Sequence, residues 1–254
     1  MNKISYALTV CQERKEVQLL IEQIQKYKRE IDDILVLFDE KNGSDEVREY
    51  LEAIENITLI RANFDNDFAT FKNRIFSYLP QDCTHIFFLD ADEIPHHLLL
   101  SYLPDIIDGN PNVDLFWIPR INIVRGIGLS HVEKWGWNIS KLDNYKEEKT
   151  FDLTENDPSG EYRLLAANGL IISEEILDKK WIKKVCFYTP IINKWDYQGR
   201  LCKNIETLRW SGSVHETIQG AEVFSKLPEE EFLSLIHDKQ ISKQVKQNEL
   251  YSKI

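Results

Sequence analysis

The sequence predicts an α/β fold built on a Rossmann-like, mostly parallel sheet, and three observations carry that reading. The runs at Ile34 to Phe38 and Ile86 to Leu89 are continuously apolar and those at Ile4 to Val10 and Ile57 to Ile60 predominantly so, as strands buried on both faces are. Between them lie segments whose apolar residues recur at helical spacing, so four strands alternate with three helices in the first ~95 residues. Two of the runs stop abruptly in carboxylates, Asp39 and Asp90, which places those acids at the C-terminal edge of the sheet, where open α/β folds bind their ligands.

The elements follow in order. After the first strand, Val17, Leu20, Ile21, Ile24, Tyr27 and Ile31 define one face of a helix. The second strand ends at Asp39, and Glu40-Lys41-Asn42-Gly43-Ser44 is a turn that supplies its own N-cap for a helix with Val47, Tyr50, Leu51 and Ile54 inward. Asp67 caps a third helix facing inward through Phe68, Phe71, Ile75 and Leu79. A short helix from Leu98 to Ile107 leads to a strand over 114–122. From Gly126 to Pro158 the pattern degrades into a Trp-containing and then polar stretch, read as a loop or insertion in which Trp135 and Trp137 face a ligand or anchor the chain. Residues 162–172 and 183–192 read as strands, 208–216 as a hairpin, and the chain from Pro228 onward as helix. With no repeat and no long linker, the expectation is one domain over 1–254: a nucleotide-binding half over 1–95 and a smaller mixed, acceptor-binding half over 96–254 with a C-terminal helix. The sequence stops within the helical pattern, as a fragment of a longer chain would.

Composition narrows the function. A net charge of −11 argues against broad binding to nucleic acid or to an anionic membrane. No apolar stretch approaches the ~20 residues of a transmembrane helix. Four cysteines without Cys-x-x-Cys spacing suggest neither a zinc site nor a disulfide framework, and a reduced cytoplasmic protein is the expectation. The dinucleotide fingerprint Gly-x-Gly-x-x-Gly is missing after the first strand, which argues against nicotinamide or flavin.

The chemistry centres on Asp90-Ala91-Asp92-Glu93. Two carboxylates at a strand end repel unless a cation joins them, and hard oxygen ligands shared with substrate phosphates suit Mg2+ or Mn2+. The alternative is that Asp90 caps the next helix while Asp92 and Glu93 are solvated in its first turn. Arg120 and Arg200 are fit to hold a diphosphate as bidentate donors, although a lone arginine is more often one half of an ion pair.

With these residues laid out, the chain resembles a family 2 glycosyltransferase of the GT-A fold. The resemblance rests on Thr9 and Glu13 after strand one, Asp39 after strand two, Asp67-Phe68-Ala69 with Lys72-Asn73 before strand four, and Asp90-Ala91-Asp92-Glu93 after it. In the second half, Asp196-Tyr197-Gln198-x-Arg200-Leu201, Trp210 to Glu216 and His237 are similar to motifs of a bacterial and phage subgroup. The family's Asp-Asp-Gly-Ser is replaced here by Phe38-Asp39-Glu40-Lys41-Asn42-Gly43-Ser44, and its Glu-Asp catalytic pair is not evident.

The resemblance implies transfer of a sugar, with inversion, from a nucleotide sugar, UDP-linked by expectation, to a hydroxyl of a glycan, protein or other acceptor. It implies Mn2+ or Mg2+ on Asp90, Asp92 and His237, and donor contacts from Thr9, Glu13, Asp39, Asp67, Lys72, Asn73, Asp90 and Arg200. For the base, Glu216 is preferred because a compact hairpin holds it, and Asp196, between Trp195 and Tyr197, competes. Two other classes stand beside this one. A haloacid-dehalogenase-like phosphatase also places Asp-x-Asp after a strand, normally the first; a non-catalytic nucleotide-sugar-binding protein needs the cation but no base.

Overall fold

The computed structural model describes residues 2–136, 146–153, 161–177, 182–189 and 191–251; Trp137 and the end of the expected loop at Pro158 lie outside them. The first half alternates as the sequence predicts: β1 (Ile4–Val10), α1 (Arg14–Tyr27), β2 (Asp33–Asp39), α2 (Asp45–Ala53), β3 (Thr58–Ala62), α3 (Phe68–Asn73) continuing as a 3-10 turn, and β4 (His85–Asp90). Then come β5 (Glu93–Pro95), α4 (His97–Gly109), β6 (Leu115–Arg125), α5 (Leu129–Lys134), β7 (Lys146–Asp152), α6 (Glu161–Ala167), β8 (Ile171–Ile176), β9 (Ile182–Tyr188) and β10 (Ile191–Lys203). The chain ends with β11 (Arg209–Ser211), β12 (Thr217–Gln219), β13 (Phe224–Lys226), β14 (Leu235–Gln240) and α7 (Ile241–Tyr251).

The main sheet has the order β3-β2-β1-β4-β10-β6-β14-β5, with β13 beside β6. Strands β3, β2, β1 and β4 are mutually parallel, and β2, β1 and β4 are buried along nearly their whole length, whereas β10 runs antiparallel to β4 and β14 antiparallel to β5. Apolar clusters fill both faces of the parallel part. One packs Leu8, Val36, Phe38 and Phe87 against Leu20, Ile24 and Leu103 of the helices. The other packs Leu35, Leu37, Ile86 and Phe88 against Phe71, Ile75 and Trp210.

The chain forms two compact units, one built from Met1–Ile121 and Trp195–His237, the other from Asn122–Lys194 and Asp238–Asn248. Within the second, β7-β9-β8 make a three-stranded antiparallel sheet over a small core of Phe151, Leu165, Leu170, Val185 and Phe187.

Three expectations need correction. The stretch from Gly126 is not irregular throughout: it carries helix α5 (Leu129–Lys134) and strand β7 (Lys146–Asp152), whose pairing with β9 is hidden because all but Phe151 of its residues are exposed. The stretch 162–172 is not a strand: Glu161–Ala167 is helix α6, and the strand starts only at Ile171. Glu, Arg, Leu and Ala are strong helix formers, and that propensity prevails over the apolar run that suggested a strand. Nor is the chain helical from Pro228. Residues 235–240 form β14, and helix begins at Ile241. The inward positions of β14 are Leu235, His237 and Lys239, so its alternation is hidden by buried polar side chains.

Candidate functional site

The parallel register places the expected residues along one edge. Thr9 lies opposite Asp90, and Asp39 ends the neighbouring strand. Asp39 is buried and saturated: Oδ1 accepts from the backbone N–H groups of Lys41 (3.1 Å), Asn42 (3.3 Å) and Phe64 (3.1 Å), and Oδ2 from Asn42 Nδ2 (2.7 Å). The turn closes tightly enough that a Cβ at Gly43 would strike the Phe38 ring, which is why glycine follows Asn42. Glu13 folds the turn after β1 by accepting from the N–H groups of Cys11 and Gln12.

Asp67 caps α3 as expected, accepting from the Thr70 N–H (2.9 Å) and hydroxyl (2.8 Å), and these bonds hold its carboxyl below the usual range. The capped helix carries Lys72 and Asn73. Asn73 makes a two-way bridge to Trp210, donating to its carbonyl and accepting from its N–H, both at 2.9 Å. That bridge fixes the β11–β12 hairpin against α3. In its loop Gly212 and His215 adopt positive φ (102° and 53°), and the chain then delivers Glu216 to Lys72. His215 is therefore a turn residue in this chain, a conformation histidine tolerates better than bulkier side chains do.

The centre of the site is an unbroken chain of alternating charge. Glu216 Oε1 lies 2.7 Å from Lys72 Nζ, which lies 2.7 Å from Asp90 Oδ1. Asp90 Oδ2 lies 2.8 Å from Arg200 Nη2, and the same nitrogen is 2.7 Å from Glu93 Oε1. Glu93 Oε1 is 2.6 Å from Arg120 Nη1, and Arg120 closes on Asp196 Oδ2 through Nη2 (2.5 Å) and Nε (3.1 Å). Four carboxylates and three cations thus join both candidate bases through the first Asp of Asp-x-Asp. Lys72 (2% exposed), Glu93 (0%) and Arg200 (4%) are core residues.

Burial alone would favour the neutral forms, but the partners outweigh it. Burial pushes the Asp90 carboxyl upward, and Lys72 and Arg200 more than reverse this, holding it well below the usual carboxylate range. For Glu93 the same contest between burial and Arg200, with Arg120 adding to the arginine side, also ends in a lowered value. Lys72 is raised despite burial because Asp90 and Glu216 flank it, and Arg120 and Arg200 stay charged for the matching reason. Trp210 underlies the chain, with Lys72 Nζ 4.7 Å and the Arg200 guanidinium carbon 5.7 Å from its ring centre. Two buried donors in this layer, Arg200 Nε and Trp210 Nε1, have no hydrogen-bond partner among the described residues.

Asp92 and His237 lie together beside this chain. Pairing of β14 with β5 sets His237 opposite Glu93, and its Nε2 is 3.4 Å from Asp92 Oδ1. Among the described residues no group of three or more His, Cys, Asp or Glu is arranged to hold a metal ion. A carboxylate and an imidazole nonetheless fit a divalent cation whose remaining positions are completed by water and phosphate oxygens, and the imidazole suits Mn2+ better than Mg2+.

Of the expected residues, the structure therefore brings together Lys72, Asp90, Arg200, Asp196 and Glu216 in one chain and Asp92 with His237 in a pair. It sets Asp39, Glu13, Asp67 and Asn73 into turns, caps and bridges. Glu93 is the residue sequence reasoning missed. It reads as a solvated first-turn acid but is the buried hub between two arginines. Two arginines on inward strands with too few assigned acids was the signal available.

No protein-family model matches the chain, and no curated protein does. Solved structures align with part of it. S. aureus TarS 1-349 in complex with UDP-GlcNAc aligns at 15% identity and a TM-score of 0.41, over 48% of this chain and 35% of that one. Glucosyl-3-phosphoglycerate synthase from Mycobacterium tuberculosis, in complex with Mn2+, UDP and phosphoglyceric acid, aligns at 16% identity and 0.39, over 48% of this chain and 43% of that one. The chain thus spans less than half the length of either neighbour. No helix among the described residues is long and apolar enough to cross a membrane.

Proposed function

We propose that the protein is a metal-dependent glycosyltransferase that moves a sugar, with inversion, from a UDP-linked donor to an acceptor hydroxyl. The observation that carries the reading is the placement of Asp90 and Asp92 at the C-terminal end of β4, with His237 returned to Asp92 and Lys72 and Arg200 returned to Asp90. Asp92 and His237 would hold the cation, which when bound offsets the charge that develops on the leaving diphosphate. Thr9 and Glu13 border the space for the donor, and Asp39 holds the turn that walls its nucleoside end. The acceptor is a glycan, a protein or another hydroxyl compound.

Glu216 is the proposed base. Lys72 engages its Oε1, and Oε2 has no hydrogen-bond partner among the described residues. As the acceptor oxygen bonds to the anomeric carbon on the face opposite the diphosphate, the C–O bond to the diphosphate breaks and Glu216 takes the hydroxyl proton. Asp196 is the competitor, held by Arg120. A second reading, a non-catalytic nucleotide-sugar-binding protein, is favoured by the fact that cations engage both candidate bases.

The test is a panel of nucleotide sugars with Mn2+, reading hydrolysis and thermal shift together. The transferase reading expects one donor to be turned over and activity to vanish in EDTA; binding without turnover supports the second reading. With a donor in hand, Glu216→Gln should cost transfer at least ~100-fold while donor binding persists. Normal transfer by Glu216→Gln, with loss in Asp196→Asn, moves the base to Asp196.

A further inference from the structure

We propose that a cavity at the N-terminal edge of the parallel strands is a second binding site, which takes a small molecule through a phosphate or carboxylate group held between Lys203 and His85. It is separate from the donor edge: His85 is the first residue of β4 and Asp90 the last, about 16 Å away along the strand. The inference does not depend on the transferase reading. The cavity has a volume of about 360 Å3, within the range of small-molecule sites, and is lined in part by Asn2, His85, Ile107, Pro111, Lys203 and Asn204. These residues come from the start of β1, the start of β4, the end of α4 and the end of β10, which places the cavity inside the first unit.

Two side chains here have hydrogen-bonding capacity that the fold does not use. His85 is buried, with Nδ1 3.0 Å from the Thr84 hydroxyl, and its Nε2 has no hydrogen-bond partner among the described residues. Lys203 pairs with His85 in the antiparallel register of β10 and β4. Its ammonium carries three N–H donors, and its one polar partner among the described residues is Asp114 Oδ1, at a long 3.3 Å. Asp114 is fixed by the backbone instead, through Oδ2 to the N–H groups of Glu222 (3.1 Å) and Val223 (3.0 Å). The charges around the ring favour an anion. Asp108 faces it from α4 with Oδ1 taken by Asn2, Lys3 beside β1 is matched by Asp33 and Asp82, and burial keeps the Cys83 thiol protonated. Burial, and then Lys203 against the weaker opposing effect of Asp108, hold the His85 imidazole at about 4. The field at the ring is thus positive in a chain of net charge −11. An anion between the two residues cancels that field and accepts from both: from Lys203, and from the Nε2–H of a ring that has taken one proton from solvent. Nδ1–H then donates to Thr84 Oγ1, whose own proton goes to the Lys3 carbonyl (3.0 Å).

The probes are sulfate, a stand-in for a phosphate group, and formate, a carboxylate, each added to the full chain and compared with chloride at equal ionic strength. The His85 ring is followed by NMR through its Cε1–H signal, assigned by its loss in His85→Gln. At least one of the two anions should move the His85 titration midpoint from about 4 to ~6. Because binding takes up a proton, calorimetry should find that anion bound ~10-fold more tightly at about pH 5 than at about pH 7. A response to sulfate alone identifies a phosphate-bearing ligand, and a response to formate alone a carboxylate. Lys203→Met should abolish the response, and Lys203→Arg, which keeps the charge, should retain it.

The proposal is overturned if neither anion moves the midpoint, or if chloride moves it as far, since the effect is then screening of Lys203 and not a bound group. It is overturned equally if a cooperatively melting Lys203→Met responds as wild type does. Where Lys203→Met fails to fold, the comparison of sulfate and formate with chloride in the wild-type chain decides.

Discussion

The two units carry ion pairs of nearly the same length in opposite surroundings. In the first, the Glu216-to-Asp196 chain runs through contacts of 2.5–2.8 Å centred on the buried Lys72, Glu93 and Arg200, with Glu216, Asp90, Arg120 and Asp196 part-buried around them. In the second, Lys149–Glu161 (2.5 Å), Lys183–Glu174 (2.6 Å) and Lys184–Glu148 (2.8 Å) ride on the outside of the β7-β9-β8 sheet, where β7 and β8 are almost wholly exposed. Distance therefore does not rank them. A buried charge has lost its water, so its partner is obligatory and its position is set; an exposed pair competes with solvent and salt and specifies little. Only the first arrangement can hold a carboxylate in one place for a ligand.

The largest break in that comparison is Arg200→Leu, which leaves the buried Glu93 and the part-buried Asp90 each short of a cation. The expected loss is ~3–5 kcal/mol of unfolding free energy in urea titrations. A variant as stable as wild type would mean that Arg200 is dispensable to the folded chain.

A second test contrasts a buried charge with a buried neutral group in the same unit. His85 starts β4 and is buried; burial, with Lys203 adding to it, moves its imidazole from the ordinary 6.5 down to about 4. The unfolded chain takes up a proton near pH 6.5 and the folded chain only near 4, so stability is full above that window and falls as pH drops through it, by roughly 3 kcal/mol in total. Asp90 and Glu93 are lowered instead, so their contribution persists through that window and is lost only as pH falls below the ordinary carboxylate range toward their folded values. Unfolding at pH 7, 5.5 and 4.5 separates the two, and His85→Gln should flatten the upper part of the profile. An unchanged profile in His85→Gln would remove that role.

Asp39 offers a buried carboxylate satisfied by N–H donors rather than by a cation. Asp39→Asn turns an acceptor into a donor facing the N–H groups of Lys41, Asn42 and Phe64, and should cost about 1–3 kcal/mol, less than Arg200→Leu. Equal losses would show that the alternating chain has no special standing.

The same contrast explains what the sequence disclosed. The parallel half was legible because β1, β2 and β4 are apolar runs stopped by turns or acids, a pattern set by burial on both faces, and Asp67 and Ser44 cap the helices they were expected to cap. Asp39 and Asp90 share the predicted edge for the same reason. The partners of Asp90 were not legible, because Lys72, Arg200 and Glu216 converge from α3, β10 and the β11–β12 loop, over 100 residues apart in sequence for some pairs. Glu93 and β14 were hidden by one cause: polar side chains placed inward, where a pattern reading assigns them to solvent.

The smallest expected effect is the control on the exposed side. Lys184 pairs with Glu148 across β9 and β7, which are antiparallel neighbours, and both side chains are open to water (43% and 61% exposed). Fixing two long side chains costs entropy that the screened attraction barely offsets, so Lys184→Ala should leave the melting temperature where it is. Glu148→Ala and the double variant should match it, giving no coupling in the cycle. The measurement belongs at low and at physiological salt. Any coupling present at low salt must disappear as the Debye length shortens to ~8 Å, whereas the loss in Arg200→Leu should barely respond to salt because its charges are not screened. If instead Lys184→Ala lowers the melting point as far as Asp39→Asn does, exposure is not what separates the two groups of pairs. The reading of the buried chain as a placement device would then lose its physical basis.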